Sequence, residues 1–143
     1  MKKTTKILFW LFQWIIFYVG VSAMPMIVRL LLLSWMSTVP ENYITYKNSD
    51  LIIFSFVMYA LMYQGFLNHE VKNTFLKILE VVVVGVLLVI MSLYAYQFAI
   101  DEALITSTYL DFNAHTSIVW GLFVTSVILS FSLSYHFYMA QKK

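Results

Sequence analysis

The chain has 143 residues, 62% of them hydrophobic and 11% charged, with a formal net charge of +2. Soluble domains are about half apolar and a quarter charged, so this composition is that of an integral membrane protein. It contains no cysteine, which excludes disulfides, thiol nucleophiles and cysteine-ligated metals.

The first element follows the basic leader MKKTTK and is an apolar run from Ile7 to about Val39. As one helix it would be about 50 Å long at about 1.5 Å per residue, more than the hydrocarbon core of about 30 Å. Pro25 lacks an N–H and its ring displaces the carbonyl four residues back, so the helix is expected to bend there and its span to end near Val28. Two placements of Arg29, the only arginine, fit this run. In one it snorkels at the outer interface, followed by an interfacial segment over 29–38. In the other the helix continues and Arg29 lies inside the bundle, where it needs an acid; Asp50, Asp101 and Glu102 are the candidate partners. The triplet Val21-Ser22-Ala23 has the form of a signal-peptide cleavage site. The apolar run continues past it, and its core is crowded with Trp10 and Trp14 and carries Gln13, so a retained span is the expectation.

Three more apolar stretches follow, Leu51 to Leu67, Ile78 to Ile100 and Ser117 to Met139. The third span opens with four consecutive valines, which favour strands, but its length is that of a helix. Ser49 or Asp50, Asn73 or Thr74, and Thr116 or Ser117 are suited to cap these three helices. Residues 1–143 therefore read as a single integral membrane domain: an all-α four-transmembrane-helix bundle with spans near 7–28, 51–67, 78–100 and 117–139. Lys2, Lys3, Lys6, Lys72, Lys77, Lys142 and Lys143 all fall on one side of such a bundle, which predicts that both termini are cytoplasmic.

Polar residues in or near the spans are the candidate functional positions. Glu80 precedes the valine run and is expected either as a flanking carboxylate favoured by the helix dipole or as a titratable acid at the cytoplasmic mouth. Gln13 and Gln64 lie near the same interface and are expected to bond across helices. In the fourth span Gly121 and Thr125 form one row at helical spacing, and Ser126, Ser130 and Ser134 an adjacent one. Small residues at that spacing let helices approach closely; alternatively, they line a path through an oligomer. His69, Glu70 and His136 gather near the cytoplasmic side, but their spacing matches no metal-ligand pattern. His115 falls in the last connection, where it needs no special role.

Catalytic signatures are missing: there is no His-Glu-x-x-His, no Gly-x-Ser-x-Gly, no phosphate-binding loop and no membrane aspartate pair. No span carries a central carboxylate, whereas the small multidrug transporters, also four-helix proteins, carry a glutamate in the first span. The expectation is a non-enzymatic protein with no cofactor, no metal and no nucleic-acid partner. Lysine outnumbers arginine eight to one, and glycine and proline are scarce, a bias of AT-rich bacterial genes that often accompanies mobile DNA. In length, span number and compositional bias the chain resembles small four-span membrane proteins of bacterial conflict systems: immunity proteins against pore-forming bacteriocins and membrane subunits of phage-defence operons. The spans and the lysine placement lead to the expectation of a multi-pass protein of the bacterial cytoplasmic membrane, whose small-residue stripe favours homo-oligomers. It would be a homo-oligomeric effector or channel-like component, or else a sensor, anchor or immunity protein that binds a protein partner encoded nearby; a small transporter ranks below both.

Overall fold

A computed structural model describes residues 3–35, 48–69, 73–101 and 112–140. Their regular structure is entirely helical: α1 (Lys3–Trp14), a π-helical segment (Ile15–Gly20), α2 (Val21–Ser34), α3 (Asn48–Asn68), α4 (Thr74–Asp101) and α5 (Phe112–Ala140). The π segment joins α1 to α2 without a break, so there are four helical rods, each long and apolar enough to cross a membrane. Helices suit that solvent because every backbone N–H and C=O is satisfied within the segment.

The first rod follows the second of the two placements, in which the helix continues past Pro25. Pro25 lies inside α2, and the helix runs on past Val28 to Ser34. A proline removes one hydrogen bond, whereas ending the helix would release a whole turn of carbonyls into an apolar medium. The departure from α geometry lies earlier, at Ile15–Gly20. Arg29 therefore sits two turns into α2 rather than beyond its end. The helix stops at Trp35, whose N–H bonds back to Leu32, while the Ser34 hydroxyl donates to the Leu31 carbonyl. Residues 36–38 of the expected interfacial segment lie outside the described residues.

The π segment marks a change of partner. Before it, α1 packs against α5: the Trp10 indole N–H donates to Ser134 Oγ at 3.1 Å, and its ring meets Phe131 and Tyr135 edge-on. After it, α2 packs against α3. A π turn closes each ring with one residue more than an α turn, which turns the contact face of the rod from one neighbour to the other.

α3 is the hub. Its 21 residues are about 32 Å long, close to the thickness of the hydrocarbon core. Half of its most apolar stretch (50%) is buried, against 11% for α4. It packs on α5, α4 and α2 through a core that includes Ile52, Met58, Tyr59, Met62 and Phe66. Gly65 makes room for the Phe137 ring of α5, which a Cβ there would meet at 3.1 Å.

The other helix ends carry local caps. Asn73 Oδ1 accepts the N–H of Phe75 at 3.0 Å, the N-cap bond of α4. His69 closes α3, its Nδ1–H donating to the Gly65 carbonyl at 2.8 Å. α5 begins at Phe112, five residues before the span expected to start at Ser117. This brings Asn113, His115 and Thr116 into the helix.

Candidate functional site: a polar layer joining the four spans

One end of the bundle collects the polar side chains that the spans carry inward. Arg29, two turns into α2, extends Nη2 to within 2.9 Å of Asp50 Oδ2, in the first turn of α3; the two side chains are 19% and 9% exposed. Two residues before Asp50, the Asn48 amide donates to Thr116 Oγ1 of α5 at 3.2 Å. Beside Thr116, His115 Nε2–H donates to Gln97 Oε1 of α4 at 2.8 Å, with both residues buried. The Tyr96 ring meets the His115 ring edge-on at 5.2 Å. The three contacts thus tie α2 to α3, α3 to α5 and α5 to α4.

The layer is shallow. Asp50 and His115 lie two and three residues into their helices, and Gln97 four residues before the end of α4, which places them about 3–6 Å from a helix end. A charged pair taken from water into a low dielectric loses hydration, which attraction between the partners offsets only when geometry is good. Here the guanidinium meets the carboxylate at 2.9 Å while its Nε and Nη1 are themselves buried, so the attraction works against a desolvation cost that the remaining exposure only partly relieves. What the arrangement does chemically is to fix the mutual positions of all four rods at one end. Asp101 closes α4 at this same end, and Glu102, the third partner considered for Arg29, lies outside the described residues.

The remaining sequence candidates are dispersed. Glu80 is half-buried near the opposite end of α4. Since α4 starts at Thr74, Glu80 lies in its second turn, past the reach of the helix dipole, which fades within the first. Gln13 and Gln64 are exposed, and among the described residues neither bonds across helices. At that depth headgroups and water satisfy an amide, so the interhelical partner expected for it is not required. The two rows of α5 separate. Ser126 and Ser130 are fully buried and donate to the carbonyls of Phe123 and Val127, and Ser134 accepts from Trp10. Gly121 and Thr125 lie on the exposed side, and a Cβ on Gly121 would meet nothing within 4 Å. Thr125 donates to the Gly121 carbonyl and accepts from Tyr59 Oη at 3.4 Å. Among the described residues no three His, Cys, Asp or Glu side chains converge on a metal-sized site; Glu70 lies outside them.

Sequence reasoning does not single out Asn48 or Gln97, and it names Thr116 only as a cap. Gln97 carried a signal: an amide inside an otherwise apolar span needs a partner. His115 carries none, because hydropathy alone places it in a loop.

No known protein family, curated protein or solved structure matches the chain.

Proposed function

We propose that this protein is a non-enzymatic, multi-pass component of a bacterial cytoplasmic membrane that acts as a homo-oligomeric, channel-like effector. The observation carrying the reading is the outward face of α4. Val81, Gly85, Leu88, Ser92 and Ala95 recur at alternating intervals of four and three residues, and all five are exposed in the single chain. A Cβ on Gly85 would meet nothing within 4 Å. That spacing is the seam of two helices packed knobs into holes, and small residues in it bring membrane helices together. The buried serines of α5 hold the monomer together, so a conducting path in this reading runs between copies and not along Ser126 and Ser130.

The test is membrane potential, read with a voltage-sensitive dye in cells induced to express the wild type or Gly85→Leu. Depolarisation by the wild type and its loss in the variant support the effector. Polarised cells in both cases favour the second reading, a sensor, anchor or immunity protein that binds a partner. That reading draws on Trp35, 80% exposed just past the end of α2, since exposed tryptophans anchor many protein interfaces.

A further inference from the structure

At the end opposite the polar layer, α3 and α4 enclose a lateral cleft of about 520 Å³. Its floor is Tyr63 and Phe66 of α3 with His69 just past the end of that helix, and its wall is Lys77, Glu80, Val81 and Val84 of α4. The floor also meets α5, because Phe66 and His69 both pack on the Phe137 ring. Two features distinguish this cleft from a lipid-facing furrow.

The first is a polarity gradient along the helix axes. Lys77 and His69 lie at the helix ends, whereas Val84 and Tyr63 lie about 10 Å further in, at about 1.5 Å per residue. Charge at the mouth and hydrocarbon below is the order of a phospholipid standing in a bilayer. Basic pockets between membrane helices at the lysine-rich side hold lipid headgroups in this way. The second feature is the pair of opposite charges on one wall. Lys77 and Glu80 are three residues apart on α4, so their Cβ atoms lie about 5–6 Å from each other. Among the described residues neither side chain enters an ion pair. One wall therefore offers a cation and an anion side by side.

The geometry points to a binding site for an aminophospholipid. Its phosphate accepts from Lys77 Nζ, its headgroup lies back along the α4 wall so that the primary ammonium donates to the Glu80 carboxylate one turn further in, and one acyl chain runs along Tyr63 and Val84. An anionic headgroup would meet Glu80 with like charge, and a quaternary ammonium has no N–H to donate to it. Dioleoyl-phosphatidylethanolamine is therefore the predicted ligand, over dioleoyl-phosphatidylglycerol and dioleoyl-phosphatidylcholine.

The experiment titrates these three lipids, and soluble glycerophosphoethanolamine, into the detergent-purified full chain. It reads bound lipid by native mass spectrometry and the shift in melting temperature. The ethanolamine lipid should be retained best and shift the melt most, and the soluble headgroup should do neither. Glu80→Gln should erase the preference among lipids, and Lys77→Gln should weaken retention of all three about 10-fold, as for the loss of a hydrogen bond to a charged group. Glu80→Asp and Lys77→Arg should keep wild-type selectivity, and Lys6→Gln, on exposed α1, should change nothing. Equal retention of the three lipids, a preference for the glycerol lipid, or wild-type behaviour of both Gln variants would overturn the assignment. An equal shift from the soluble headgroup would overturn it in favour of a free phosphoamine ligand.

Discussion

Arg29 and Asp50 meet at 2.9 Å across α2 and α3, so the only arginine of the chain is spent on joining the first rod to the hub. Truncating one partner leaves the other charged and poorly hydrated. Arg29→Gln and Asp50→Asn should each lower the melting temperature in detergent by the equivalent of about 2 kcal/mol, less than the about 3–5 of a fully buried pair. The apolar double variant, Arg29→Leu with Asp50→Leu, should recover most of that loss. A double variant no better than the sum of the singles would show that the pair is not coupled.

At Trp10 the hydrogen bond and the ring packing separate by chemistry. Trp10→Phe keeps an aromatic ring near Phe131 and Tyr135 but loses the donor to Ser134, a change of about 1 kcal/mol. Trp10→Ala removes both and should cost about 3–5 kcal/mol. Equal melts for the two variants would mean that the ring contributes little.

Gly65 and Gly121 occupy opposite environments. A leucine at Gly65 must displace the Phe137 ring, and overpacking of this kind costs about 1–3 kcal/mol. A leucine at Gly121 enters open space in the single chain, so the monomer should melt as before. A changed particle size for Gly121→Leu alone, by light scattering, would place that glycine in a contact between copies.

In the polar layer, Gln97→Met leaves the buried His115 ring without its acceptor. That should cost about 1–3 kcal/mol, and His115→Phe in the same chain should restore it. Scanning calorimetry of the single and double variants measures the coupling; additive effects would mean the bond carries none.

The four rods were legible because about 20 apolar residues in sequence have few soluble uses. Their ends were less so. Asn48, His115 and Thr116 are polar, which places them in connections by hydropathy, yet each is helical and its side chain finds a partner on another helix. The role of α3 was not legible at all. Lipid tails are as apolar as a protein core, so a buried membrane helix need not be more hydrophobic than an exposed one. Asp50 was one of three acids near the outer end with equal claims on Arg29. The choice was made by the change of packing face between Trp14 and Val21, which neither Gly20 nor Pro25 announces.

That change of face has a bearing on chain length. An α-helix cannot lose a residue without swinging everything beyond it by about 100°. The stretch from Ile15 to Gly20 already carries the slack of one residue. Deleting Ile16 should let it relax into ordinary α-helix, while Trp10 still reaches Ser134 and Arg29 still reaches Asp50. The same deletion in α3 has nothing to absorb it and would misalign Asp50 against Phe66 and His69 in a single step. The first rod thus holds a place, between Ile15 and Gly20, where one residue can be lost without turning the helices beyond it, and the hub holds none.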